Sequence, residues 1–280
     1  MPHPFVTRFA PSPNGYLHLG HAYSALTASD AARAAGGRFL LRIEDIDGGR
    51  SRPELEAAIY EDLKWLGVRW EEPVRRQSEH FEDYAVALAR LDAGGLLYPC
   101  FCTRREIESA LTAPHGPEGA VYPGTCRRLA AATRAERIAA GLPYARRLDL
   151  DAALARTGAL TFAESGARVA VDDKRLRLEI GDVVLARKDV LASYHLAVVH
   201  DDALQGVTTV IRGDDLAFAT PLHRVLQELL GLPAPAYRHH RLITDTAGRR
   251  FAKRDAAATL RALRDEGITP AEVRRRVGLT

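Results

Sequence analysis

At 280 residues and 46% hydrophobic content, the chain is long enough for one large domain or two modest ones, each with its own core. The net charge of +3 permits an anionic partner without demanding one. Because 35 of the 39 basic residues are arginine, against four lysines (Lys64, Lys174, Lys188 and Lys253), arginine abundance by itself carries little information. The opening MPHPFVTRF has no basic segment leading into an apolar one, and no apolar run approaches the roughly 18 residues that span a bilayer, so a cytoplasmic protein without membrane association is expected.

In chain order, FVTRFA (5–10) reads as a short buried strand. A loop punctuated by Pro and Gly follows, then an Ala-rich helix from about His21 to Ala35 that Gly36 and Gly37 stop, then the strand RFLLRI (38–43). Strand, crossover helix and strand of this length form a right-handed βαβ unit, which opens a parallel α/β sheet. Helical patterns continue at 53–66 and 79–93. From 96 to 189 the texture changes, and an inserted α+β segment is expected there. It has capping-box pairs Thr103/Glu106 and Thr133/Glu136, and strand-like runs at 145–150 and 176–186. LAVVHDD (196–202) and GVTTVIRG (206–213) restore buried-strand texture. Thr220-Pro221 opens a helix to about Leu230, with Gly231 beyond it, and two helical patterns close the chain, the second opened by Thr269-Pro270. The expected division is 1–95 and 190–255 as two halves of a Rossmann-type domain, 96–189 as the insertion and 256–280 as a short helical segment.

Ligands of parallel α/β sheets sit outside the carboxyl ends of the strands, where APSPNGYLHLGH and EDID (44–47) both fall. A strand, a Gly-containing turn and a helix N-terminus offer free backbone N–H groups and a positive dipole end, which suits a polyphosphate. His18 and His21 would add donors, and Gly20 would let a flat base come close. As a metal pair the two histidines lack a nearby third ligand. Asp45 and Asp47 read as turn and cap residues, and His239-His240 as a strand edge. The three cysteines, Cys100, Cys102 and Cys126, lie within 27 positions, a local odd set that suits a metal better than a disulfide framework. Three thiolates and one further donor make a closed tetrahedral zinc site, and on chemistry alone His115 in the intervening loop is the natural fourth ligand.

PSPNGYLHLGH resembles the HIGH signature of class I aminoacyl-tRNA synthetases, in the variant of glutamyl-tRNA synthetases that begins R-x-A-P-S-P, matched here by RFAPSP. The resemblance continues through RIEDID, YHLAVVHDD, QGVTTVIRGDDL and RRFAKRD, covering residues 5–255. The chain leaves only 25 residues after the last block, where full glutamyl-tRNA synthetases carry a helical anticodon-reading domain. A catalytic half with a cysteine-bearing insertion and no such domain resembles the glutamyl-queuosine tRNA(Asp) synthetases. That resemblance implies activation of L-glutamate by ATP without tRNA and transfer to the queuosine base of tRNA(Asp); a monomer is expected, although the sequence does not fix the oligomeric state.

Carried across residue by residue, the resemblance places glutamate against the first loop (Arg8, Phe9, Ala10, Pro11 and Ser12), Glu44, Tyr194 and Arg212. Glutamate has two carboxylates and one ammonium, so two arginines and one carboxylate suit it chemically. It places ATP with Mg²⁺ against His18, Gly20, His21 and Lys253, and makes His18, His21 and Lys253 the catalytic groups. RRFAKRD aligns with the K-M-S-K-S loop at Arg250 to Arg254, Lys253 standing at the second lysine and Ala252 where the pattern has serine. For the single structural Zn²⁺ the resemblance points to Tyr122 rather than His115, beside Cys100, Cys102 and Cys126. Three rival readings are a glutamyl-tRNA synthetase catalytic part charging a tRNA 3′ end, a small-molecule nucleotidylyltransferase, and a non-catalytic zinc-stapled tRNA-binding module.

Overall fold

The computed structural model describes residues 4–109, 121–188, 190–244 and 259–279. Strand β1 (Val6–Phe9), helix α1 (Leu19–Ala34) and strand β2 (Arg38–Ile43) form the expected βαβ unit, with the strands parallel and Val6 opposite Arg38. Gly37 makes the turn into β2 against the backbone of Phe5, where a Cβ would lie 2.2 Å from the Phe5 carbonyl oxygen. Helix α2 (Pro53–Trp65) crosses to β3 (Glu71–Arg76), parallel to β2 on its outer side.

On the other side of β1, the Thr208 N–H donates to the Val6 carbonyl at 2.9 Å, bringing in β9 (Thr209–Gly213) and then β10 (Ala236–His240), parallel to β9. The spatial order is β3-β2-β1-β9-β10, the Rossmann-type sheet expected from the sequence. Between β3 and β9 the chain forms α3 (Phe81–Ala93), β4 (Leu97–Cys100), α4 (Arg104–Ser109), α5 (Ala131–Ala139), β5 (Ala145–Leu148), α6 (Leu150–Thr157), β6 (Thr161–Glu164), β7 (Ala167–Ala170), α7 (Asp173–Glu179), β8 (Val184–Ala186) and α8 (Tyr194–Leu204). In the segment expected as an insertion, β4, β5 and β8 make a separate antiparallel sheet. The β6–β7 hairpin instead extends the main sheet, Tyr237 of β10 pairing with Glu164 of β6. Helix α9 (Thr220–Leu230) separates β9 from β10, and α10 (Leu260–Asp265) and α11 (Pro270–Arg276) end the described chain. Leu260, Leu263, Val273 and Val277 are buried in one cluster with Leu26 of α1 and Ile59 and Leu63 of α2, so the last two helices close one face of the sheet.

Four local expectations differ. LAVVHDD is not a strand but most of α8, opened by the Ser193 hydroxyl accepting from the Leu196 N–H at 3.4 Å. Seven of its eleven residues are buried, so no polar face marks the helical period. Residues 176–186 divide into the end of α7 and β8, with Gly181 at φ +64° between them. Thr133 lies inside α5, whose N-cap is Ala130, whereas the Thr103/Glu106 capping box forms as expected. Thr220 falls within α9, and its hydroxyl serves the site described next rather than the helix end.

Candidate active site

The first loop leaves β1 and enters α1 at His18. The His18 ring accepts from the Gly20 N–H (3.1 Å), and the His21 ring accepts from the His18 N–H (3.2 Å), a reciprocal cap built from two histidines. Both bonds use Nδ1 as acceptor, so each neutral ring carries its proton on Nε2. The ring centroids lie 3.9 Å apart with the planes tilted by 37°. At Gly20 a Cβ would lie 3.0 Å from His18 Cε1, so glycine gives the cap its room. Helix N-terminus and two Nε2–H donors make an anion-seeking corner.

This corner opens into a cavity of about 310 Å³ at the carboxyl ends of β1, β2 and β9, lined by His18, Gly20 and His21 together with Arg8, Phe9, Ala10, Glu44, Tyr194 and Arg212. Ser12 lines an adjoining cleft of about 410 Å³ that shares Glu44 and Tyr194 as its wall. Pro11 contributes its carbonyl, which accepts from the Glu44 N–H at 3.0 Å and fixes the loop to the end of β2. Lys253, Ala252 and the whole RRFAKRD segment lie outside the described residues, as does His115.

Two buried arginines face the cavity in different electrostatic settings. Arg8, 4% exposed, forks onto Asp202 (Nε to Oδ1 2.9 Å, Nη2 to Oδ2 3.2 Å). Asp202 also accepts from Arg42 Nη1 at 2.8 Å, and Arg42 Nη2 reaches Glu44 at 3.1 Å. Burial disfavours an ionised Asp202, but Arg8 and Arg42 outweigh it and hold the carboxyl below its ordinary range. For Glu44 burial wins over Arg42 and Arg8, and its carboxyl is pushed up.

Arg212, 5% exposed, has no carboxylate within ion-pair distance among the described residues. Its guanidinium donates to the Thr220 hydroxyl (Nη2, 2.7 Å), the Tyr194 hydroxyl and His223 Nδ1 (Nη1, 3.3 Å each) and His239 Nε2 (Nε, 3.3 Å). Burial and then the Arg212 charge push His223 well below the usual imidazole range, and burial lowers His239. Burial also raises the Tyr194 phenol. All four acceptors are therefore neutral. A buried cation costs several kcal/mol unless an anion meets it, so this pocket is built for an anionic ligand.

Sequence reasoning missed Thr220, His223, Asp202 and His239. The His239-His240 pair is not a strand edge: β10 lies between β9 and β6, His239 sits in the Arg212 network, and His240 lines the cavity and accepts from the Ser24 hydroxyl at 2.6 Å. No local spacing announces these partners, which lie up to 194 residues apart in the chain.

Beside β4, the sulfurs of Cys100, Cys102 and Cys126 lie within 4.8 Å of one another. The Tyr122 hydroxyl stands 3.6 Å from Cys102 Sγ and accepts from the Cys126 N–H at 2.7 Å, and the Arg147 guanidinium lies 4.0 Å from the centre of the Tyr122 ring. Three thiols and one phenol oxygen converging beneath a cation make a donor set of the right number and softness for tetrahedral zinc.

Over residues 4–280 the sequence matches the family described as tRNA synthetases class I (E and Q), catalytic domain. It is 52% identical to a Glutamyl-Q tRNA(Asp) synthetase of Rhodobacter capsulatus, covering 98% of this chain and 100% of that one. The chain belongs to this family. A second member, from Nocardia farcinica, is 49% identical over 95% of this chain and 81% of its own. Among solved structures, glutamate-tRNA synthetase from Elizabethkingia anophelis superposes with a TM-score of 0.75 at 28% identity, over 90% of this chain and 53% of that one, so the match spans about half of that synthetase. Family membership fixes the class I fold and makes this chain a ligase of that class. Among the described residues no helix is long and apolar enough to cross a membrane.

Proposed function

We propose that this chain activates L-glutamate with ATP, without RNA, and transfers the glutamyl group to the queuosine base of tRNA(Asp). The observation that carries the reading is Arg212, a buried guanidinium whose described partners are all neutral, facing the same cavity as the histidine-capped N-terminus of α1. A dicarboxylic amino acid supplies the missing anion. One carboxylate meets Arg212, the ammonium meets Glu44, and Arg8, already neutralised by Asp202, offers hydrogen bonds more than net charge. Arg8, Phe9 and Ala10 of the first loop line the same cavity.

The other carboxylate attacks the α-phosphorus of ATP. A new O–P bond forms as the bond to the β-phosphate oxygen breaks, and pyrophosphate leaves with the electron pair. No protein nucleophile is required, so the chain's contribution is positioning and charge stabilisation. The Nε2–H groups of His18 and His21 donate to phosphate oxygens, and by its alignment Lys253 neutralises charge on the departing pyrophosphate. Mg²⁺ bound with ATP would shield the phosphates. In the second step an acceptor hydroxyl attacks the glutamyl carbonyl, and AMP leaves with the electron pair of the broken C–O bond. The cleft holding Ser12, across the wall of Glu44 and Tyr194, is the approach for that hydroxyl. Cys100, Cys102, Cys126 and Tyr122 would hold one structural zinc, fixing the end of β4 to the loop before α5.

Pyrophosphate exchange with each amino acid in the absence of RNA tests the first step. Transfer of labelled glutamate to tRNA(Asp) with and without queuosine tests the second. Glutamate-specific exchange and queuosine-dependent transfer are expected. Exchange that requires tRNA, or transfer to the 3′ end of tRNA(Glu) in place of modified tRNA(Asp), would overturn the proposal in favour of a charging synthetase.

A further inference from the structure

We propose that Glu164 and His239 form a positioning dyad that holds Arg212 ready for the carboxylate of the amino acid. The inference rests on the reading of Arg212 as the residue that meets that carboxylate. The His239 ring, its side chain 5% exposed on β10, faces Glu164 with Nδ1 and Arg212 with Nε2. A carboxylate beside Nδ1 keeps the ring proton on Nδ1, so Nε2 presents a lone pair. That lone pair accepts from Arg212 Nε at 3.3 Å and from the Thr220 hydroxyl at 3.2 Å. The Thr220 oxygen in turn accepts from Arg212 Nη2 at 2.7 Å, which leaves its own proton for His239. One edge of the guanidinium is thus tied twice to a ring whose tautomer Glu164 sets. Without Glu164 the imidazole is free to carry its proton on Nε2, where N–H would face N–H.

Glu164 does this without occupying the ligand's place. Neither it nor His239 lines the cavity beside Arg212, so the carboxylate fixes the tautomer of one neutral ring and leaves the inner edge of the guanidinium to the ligand. The placement follows from β6 joining the main sheet. Its register with β10, Tyr237 opposite Glu164, brings the Glu164 carboxylate to the His239 ring. A hairpin from the middle segment therefore organises the amino-acid pocket from inside this chain.

The test is glutamate-dependent pyrophosphate exchange, with no RNA present, by wild type, Glu164→Ala, Glu164→Gln and Arg168→Ala. Arg168 lies on the same hairpin and bonds Thr161, away from the dyad, so it controls for general loosening of the hairpin. Glu164 is 30% exposed, and its replacement leaves the core intact. Loss of one hydrogen bond to a buried charge predicts a roughly ten-fold higher KM for glutamate in Glu164→Ala. The KM for ATP and kcat should stay within about two-fold. Glu164→Gln, which retains an acceptor oxygen for Nδ1–H, should recover most of the loss, and Arg168→Ala should match wild type. A glutamate KM unchanged in Glu164→Ala, an equal rise for ATP, or the same defect in Glu164→Gln or Arg168→Ala would overturn the dyad. Absence of exchange in the wild type would instead overturn the reading of the pocket, and the dyad's role with it.

Discussion

The two walls of the cavity carry equally buried arginines and treat them oppositely. On the β1–β2 side, Arg8, Arg42, Asp202 and Glu44 form a closed ionic network in which every charge has a counter-charge. On the β9–β10 side, Arg212 has hydroxyl and imidazole acceptors that satisfy geometry but not charge. In the first wall the arginines already meet carboxylates before any ligand arrives, although burial still pushes the Glu44 carboxyl up. The second lacks its counter-charge, and under the proposed function an acidic amino acid supplies it.

The strongest way to break this contrast is Arg212→Leu, which removes the deficit itself. Loss of a buried, multiply bonded guanidinium from the substrate pocket is expected to lower kcat/KM for glutamate in pyrophosphate exchange by about a thousand-fold or more, with folding retained because no anion is left unpaired. Exchange within ten-fold of wild type would show that the two walls do not differ in function. Asp202→Asn attacks the other wall. It strips the shared anion from Arg8 and Arg42 together, and breaking a buried pair from one side costs about 3–5 kcal/mol, which a shift in the urea midpoint measures. If the midpoint held, the network would be dispensable to the fold.

How much of this was readable in the sequence differs by wall and by kind of contact. β1, α1 and β2 followed from hydrophobic runs and Gly punctuation, whereas the reciprocal cap that His18 and His21 build at the start of α1 was not anticipated. The cysteine cluster was legible because its sulfurs come from nearby positions and need only one loop to meet. Arg8, Glu44, Tyr194 and Arg212 were found only through resemblance, since a lone arginine in an arginine-rich chain has no local signature. Their partners were not found. Asp202 sat in a stretch that reads as a strand because its helix is buried nearly all round, and Glu164 and His239 meet only because β6 pairs with β10 across some 75 residues. Periodicity encodes which face a residue takes within its element; it does not encode which distant element that face will meet.

The metal corner offers a smaller, independent test of a legible feature. Zinc measured per mole of purified protein is expected near one for wild type, and Cys102→Ser should lower it markedly, whereas Tyr122→Phe should weaken retention against a chelator while keeping three thiolates. Full occupancy in Cys102→Ser would remove that residue from the site.

The smallest expected effect comes from a third buried charge, one that neither wall's solution covers. Asp62 on α2 is fully buried, as Asp202 nearly is, yet its nearest cation, Arg264 of α10, stands 3.5 Å away and neither carboxyl oxygen has a hydrogen-bond partner among the described residues. Burial therefore outweighs Arg264, and the carboxyl is pushed up to about 6, whereas Asp202 with two bonded arginines stays below its ordinary range. The sign follows directly. A carboxyl whose folded pKa exceeds its unfolded one favours the folded state most below the unfolded value, near 4, and that contribution is lost as pH rises through about 6. Asp62→Asn, which cannot ionise, should raise stability by about 1–2 kcal/mol at pH 8, a few degrees in Tm, and by less at pH 5. A gain independent of pH would mean that polar burial alone, and not uncompensated charge, sets the cost at Asp62. That result would also weaken the inference from charge deficit to ligand at Arg212, because both arguments price a buried ion by the counter-charge it lacks.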